Sequence, residues 1–227
     1  MSYLKENLDN IKQQLAPHKV TLVAVSKTHP AEKIQELYDL GQRHFGENKV
    51  QEMLEKYEVL PKDIHWHLIG HLQTNKVKYI APFVQLIHSA DSVKLIQEIE
   101  KQGAKNNRVI DCLLQIYIAD EETKFGMDES EAEAFLTSSI YANLKNVRIC
   151  GLMGMASNVD DENQVRAEFA GLKKLFDKLK IQYFANKPEF EILSMGMSGD
   201  YMMAIEEGSN MVRVGSAIFG ERKYSRL

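Results

Sequence analysis

Short apolar runs alternate with longer stretches of helical period along the whole chain. The runs fall at 20–26, 43–46, 64–69, 84–88, 110–118, 147–155, 190–195 and 211–214. They are brief and strand-like, and the first, Val20 to Val25, is β-branched and free of charge, which predicts a short buried strand. Between them, apolar residues recur every three to four positions near 31–41, 48–58, 75–80, 92–102, 128–138, 162–182 and 200–207, which predicts amphipathic helices. A further helix leads the chain at 3–15, with Leu4, Leu8, Ile11 and Leu15 on one face. Ser92 or Asp91 is placed to cap one helix, and Pro30 precedes another at a tolerated first-turn position. Eight strand–helix units in regular alternation predict an α/β fold, a closed parallel (β/α)8 TIM barrel, with the 3–15 helix as an addition. No Pro/Gly/Ser-rich linker or repeat divides the sequence, so residues 1–227 are read as a single domain, with a tail from Gly220 to Leu227.

In such barrels, active sites collect at the C-terminal ends of the strands. Lys27 follows the first strand, Val20-Thr-Leu-Val-Ala-Val25, directly after Ser26. A strand-end lysine ordinarily leaves the core for water. One that loses part of its hydration becomes a nucleophile that forms Schiff bases with aldehydes, pyridoxal phosphate above all. Ser194-Met-Gly-Met-Ser-Gly-Asp200 after strand seven and Gly215-Ser216 after strand eight supply hydroxyls and small residues, the ingredients of a phosphate cradle. Arg213, between Val212 and Val214, must be paired or point into a site. Either it forms a buried ion pair, or it donates to a cofactor's pyridine nitrogen and keeps that nitrogen unprotonated.

Composition narrows the classes. A net charge of −4 argues against a general nucleic-acid or membrane surface. The N-terminus carries early acids and no long apolar core, so it reads as neither signal peptide nor anchor. No run approaches the roughly 20 residues of a membrane span. Cys112 and Cys150 each lie in an apolar run and are read as two buried thiols, which fits a cytoplasmic protein. His65, His67 and His71 invite a metal reading, but no carboxylate or cysteine completes a set, and packing or hydrogen bonding is the better assignment. The lysines at 173, 174, 178 and 180 fall on a solvated helix face.

Several segments together resemble one family. They are Val25-Ser-Lys-Thr28, Phe45-Gly-Glu-Asn48, Trp66-His-Leu-Ile-Gly70 with Leu72-Gln-Thr-Asn-Lys76, Lys124-Phe-Gly126, Ser194-Met-Gly-Met-Ser198 and Val212-Arg-Val-Gly-Ser-Ala-Ile-Phe-Gly220. Spanning nearly the whole chain in consistent order, they are similar to the pyridoxal phosphate homeostasis proteins, barrels that resemble the N-terminal domain of alanine racemase. The resemblance implies a Schiff base of pyridoxal 5'-phosphate (PLP) on Lys27. It also implies Arg213 facing the pyridine nitrogen, Asn48 on the ligand side, and Ser194, Gly215 and Ser216 on the phosphate, helped by the Met195 backbone. Ser216 stands where threonine is common in the family but keeps the hydroxyl, and His71 departs from the usual third loop. The implied role is non-catalytic: a protein that holds PLP and supplies it to apo-enzymes, and a monomer is expected because the sequence lacks the domain that builds the racemase dimer. The alternative is a PLP-dependent amino-acid racemase. That reading needs a second base, for which Tyr201 and Tyr224 are candidates, and the chain ends without the second domain that supplies one in racemases.

Overall fold

The alternation of apolar runs and amphipathic stretches becomes a ring of strands inside a ring of helices. The computed structural model describes residues 2–119 and 125–220. In chain order the elements are α1 (Tyr3–Leu15), β1 (Thr21–Val25), α2 (Ala31–Asp39), β2 (His44–Glu47), α3 (Val50–Val59) and β3 (His65–Leu68). A 3-10 turn (Thr74–Lys76) leads into α4 (Val77–Ile80), β4 (Leu86–Ala90), α5 (Val93–Lys105), β5 (Ile110–Gln115), α6 (Glu129–Leu136) and α7 (Ser139–Ala142). The chain continues through β6 (Val147–Met153), α8 (Glu162–Tyr183), β7 (Ile192–Ser194), α9 (Tyr201–Glu206), β8 (Met211–Val214) and α10 (Ser216–Phe219). The strands are parallel, pair in sequence order, and close where β1 meets β8, with Val23 opposite Arg213. Closure removes every sheet edge.

All eight expected strands form, with differences at their ends. The runs 110–118 and 147–155 leave the barrel at Gln115 and Met153. Past Gln115 the apolar pattern continues because Ile116 bridges Met127 and buries against the returning loop. Two short helices, α7 and α10, were not expected. The segment between strand eight and the tail, to which the sequence assigns no element, coils into α10 and lies against the leading helix. There Asn7 Nδ2 donates to the Ile218 carbonyl at 3.0 Å. Ser92 caps α5, its hydroxyl accepting from the Leu95 N–H.

The side-chain period of two along the strands, interrupted in β6 where an extra residue at Cys150 shifts the register, sorts residues between two cores. Val23, Leu86, Leu113, Cys150, Met153 and Met211 point inward and pack together inside the barrel. The intervening residues, Leu22 and Ala24 on β1 and Val212 and Val214 on β8 among them, face the helices and join a larger outer core. Cys112 lies in the outer core and Cys150 in the inner, both as free, buried thiols. The same parity carries Lys27, two and four residues beyond Val25 and Val23, over the inner mouth, with Asn48, one residue past β2, and Arg213 on β8 also at inward positions.

Candidate functional site

The C-terminal mouth of the barrel holds a cavity of about 260 Å3. Its walls include Lys27, His29, Asn48, Arg213, Gly215 and Ser216, with Val25, Ile69, Met155 and Met197 as apolar surface and Ser198 and Gly199 at one side. Of the residues expected at the site, Lys27, Asn48, Arg213, Gly215 and Ser216 are brought together here. Ser194 and Met195 are not in the lining. Ser194 is inward but lies deeper, fully buried, where its hydroxyl accepts from Arg213 Nη1 at 2.6 Å and meets His88 Nδ1 at 3.0 Å. Met195 faces the outer core, and its N–H is spent on the Met211 carbonyl. Because β7 ends at Ser194, the hydroxyl that reaches the mouth is the one four residues later. Ser198 Oγ accepts from the N–H groups of Gly215 (3.0 Å) and Ala217 (3.3 Å), tying the two expected phosphate loops into one rim.

A buried cluster behind the barrel wall fixes the turn that carries Lys27. Lys56, on α3, donates to the Ser26 carbonyl (2.8 Å), Glu47 Oε1 (2.7 Å) and Glu52 Oε1 (2.7 Å). Ser26 Oγ donates to Glu47 Oε1 at 2.6 Å. Thr28, immediately after Lys27, has φ +66°, and its N–H is held by the Glu52 carboxylate. A threonine in the left-handed region is strained, so this geometry needs such support. Burial pushes the Glu47 carboxyl up to about 7, against the pull of Lys56. The sequence places Glu47 at a strand end but assigns no role to it or to Lys56, since nothing in Phe45-Gly-Glu-Asn48 shows that Glu47 turns outward to meet a lysine nine residues on.

Two glycines let the mouth close up. A Cβ on Gly46 would stand 3.0 Å from Val23 Cγ1 and 3.2 Å from Ile69 Cδ1. A Cβ on Gly70 would stand 2.4 Å from the Asn48 carbonyl oxygen. Asn48 is thus pinned against the end of β3. Its Oδ1 is buried without a hydrogen-bond partner, and the residue lines the cavity.

Arg213 is 3% exposed. Besides Ser194, it donates from Nη2 to the Gly154 carbonyl at 3.0 Å. Burial lowers its pKa to about 10, with Asp200 opposing, so the guanidinium is protonated at neutral pH. The residue is therefore a donor only. Among the described residues, no group of three or more His, Cys, Asp or Glu is arranged to hold a metal ion. His71 instead lies 3.0 Å from Asp91 and packs against Phe125. Tyr201, one candidate second base, is buried, with its hydroxyl donating to Gln14 on α1 at 2.6 Å. Lys124 and Tyr224 lie outside the described residues.

The family model of the alanine racemase N-terminal domain matches residues 1–223. A pyridoxal phosphate homeostasis protein of Aquifex aeolicus is 45% identical over 204 residues, covering 89% of this chain and 87% of its own. That of Vibrio alginolyticus is 38% identical over 239 residues, covering 99% and 100%. The structure of PipY from Synechococcus elongatus with PLP bound is 36% identical, with a TM-score of 0.84 over 96% of this chain and 100% of its own. Alanine racemase from Bartonella henselae shares the fold at 18% identity and a TM-score of 0.71, over 98% of this chain and 60% of its own.

Proposed function

Because the chain belongs to the pyridoxal phosphate homeostasis protein family, we propose that its barrel mouth holds PLP on Lys27 and that the protein stores and supplies this cofactor without catalysing turnover. One juxtaposition carries the reading. A lysine on a braced turn, Asn48 with an acceptor that has no partner, and a buried, protonated Arg213 line a single cavity with Ser198, Gly199, Gly215 and Ser216. When bound, the cofactor supplies an aldehyde that condenses reversibly with a primary amine.

Each part of the chain has its task. Lys27 presents the amine, and the Ser26–Lys56–Glu52 bonds hold its turn against the mouth. Asn48 Oδ1 accepts from a ring substituent. Arg213 donates to the ring nitrogen and, as an obligate donor, keeps that nitrogen unprotonated, which makes the bound ring a weak electron sink. Ser198, Gly199, Gly215 and Ser216 take the phosphate, in place of Ser194 and Met195. No tyrosine lines the cavity among the described residues, and Tyr201 is committed to Gln14. The lining therefore favours a holder over a racemase.

Titrating the protein with PLP is expected to give a visible absorption band that Lys27→Ala removes. An unchanged band in Lys27→Ala overturns the site. Holding the loaded protein with single L-amino acids in deuterium oxide is expected to leave α-hydrogens and chirality intact. Sustained formation of the other enantiomer with α-deuteration would reject the non-catalytic reading. Transfer of PLP to an apo-enzyme, followed by that enzyme's recovered activity, is the expected positive outcome.

A further inference from the structure

Below the mouth, the barrel axis is filled by a line of polar side chains. All occupy inward positions of β2, β3, β4, β7 and β8. From the pocket downward, Arg213 Nη1 donates to Ser194 Oγ (2.6 Å), and Ser194 Oγ meets His88 Nδ1 (3.0 Å). His88 Nε2 meets His67 Nδ1 (2.9 Å), and His67 Nε2 meets His44 Nδ1 (2.9 Å). The last and longest contact is His44 Nε2 to His65 Nδ1, at 3.4 Å. His65 is exposed at the N-terminal end of β3, the face opposite the pocket. His67, His88 and Ser194 are buried, at 1%, 0% and 0% exposure.

The nitrogens alternate without error: every ring turns Nδ1 toward Arg213 and Nε2 away from it. A neutral imidazole carries one hydrogen, so the line has two self-consistent proton arrangements. In one, each Nε2–H donates away from the pocket. In the other, each Nδ1–H donates toward it. Arg213 breaks the tie. It only donates, so Ser194 Oγ must accept from it. The serine hydroxyl then has its own hydrogen to place, and His88 Nδ1 is the acceptor beside it. The reverse arrangement sends two donors to Ser194 and leaves that hydrogen without a site.

We propose that Ser194, His88, His67 and His44 are positioning residues for Arg213, forming a one-way hydrogen-bonded column, with every buried ring in the Nε2–H form, that fixes the guanidinium beneath the pocket. Its link to the ring nitrogen of PLP rests on the function proposed above. The groups facing the column are Arg213 above, His65 below and Asp200 beside Arg213. Burial lowers the pKa of His67 and His88 well below the usual imidazole value and that of His44 to about 4, which keeps the rings neutral in ordinary buffers.

Ring-nitrogen correlation spectra of 15N-labelled wild-type protein, without added PLP, between pH 6 and 8 test the column directly. His44, His67 and His88 are each expected as the neutral Nε2–H tautomer throughout. An Nδ1–H form, a mixture or a charged ring at any of the three overturns the proposal. The positioning role is read separately in the dissociation constant for PLP. His88→Asn, whose side-chain oxygen replaces Nδ1 as acceptor, is expected to stay within about threefold of wild type, whereas His88→Leu weakens binding about tenfold or more. Equal losses in both variants overturn positioning. Should His88→Leu not fold, the wild-type spectra and a loss of more than about tenfold in His88→Asn still decide. Wild-type protein that shows the expected tautomers but no PLP binding sinks the function and leaves the column standing.

Discussion

At the scale of single residues, chemistry is set by what each side chain is denied as much as by what it touches. Lys56 is the clearest case, since it neutralises a fully buried Glu47 and also braces the turn of Lys27. Breaking a buried pair from one side costs about 3–5 kcal/mol, because the remaining charge has no compensation. Lys56→Met is therefore expected to lower the urea-unfolding free energy by about that much at pH 8. The loss should shrink at pH 6, where Glu47, with its pKa pushed up to about 7, takes a proton. A loss independent of pH would contradict this account of Glu47. Lys27, Asn48 and Arg213, which line the cavity, stand out in the sequence because Lys27 and Asn48 follow expected strands and Arg213 lies inside one. Ser194 is buried beneath the mouth while Ser198 lines it, a distinction that depends on where β7 ends and that the sequence does not mark. His44 and His88 passed unnoticed although both lie inside predicted strands. Their signal is parity: with His67, and with His44 two positions before Gly46 and His88 two after the inward Leu86, they fall on inward-facing positions only once the strand registers are known.

Elements contribute by bringing their ends together. The strands were readable because a fully buried parallel strand has few sequences open to it. The short helices α7 and α10 were not, since four residues hold too little periodicity and their shape comes from what they rest on. At the mouth, β2 and β3 approach so closely that only glycine fits at 70, where a Cβ would stand 2.4 Å from the Asn48 carbonyl. Gly70→Ala is expected to cost about 1–3 kcal/mol in stability and to weaken PLP binding by displacing Asn48. Chemical denaturation and a PLP titration check the two parts, and wild-type values in both would show that the approach of β2 and β3 is not what positions Asn48.

For the whole molecule, the barrel keeps a polar column dry, and this makes stability depend on pH. His44, His67 and His88 are neutral when folded but titrate near 6.5 when unfolded. The unfolded chain therefore binds more protons as pH falls from about 6.5 toward 4, and folding stability drops over that window. Glu47 acts oppositely: its raised pKa favours the folded state as pH falls from about 7 to about 4.5. Three histidines outweigh one carboxyl. Urea unfolding at pH 7.5 and pH 5 should show a clear net loss at the lower value, and a flat profile would contradict neutral buried rings. The chain is also proposed to act as a monomer, so light scattering is expected to give a mass near 25.9 kDa, and a value near twice that would overturn it. Among the described residues no helix is long and apolar enough to cross a membrane. The central claim, that Lys27 holds PLP at the barrel mouth, is tested most directly by reducing the loaded protein with borohydride and mapping the modified peptide by mass spectrometry. The account predicts one stoichiometric pyridoxyl adduct on Lys27, and an adduct spread over surface lysines or fixed on another residue would contradict it.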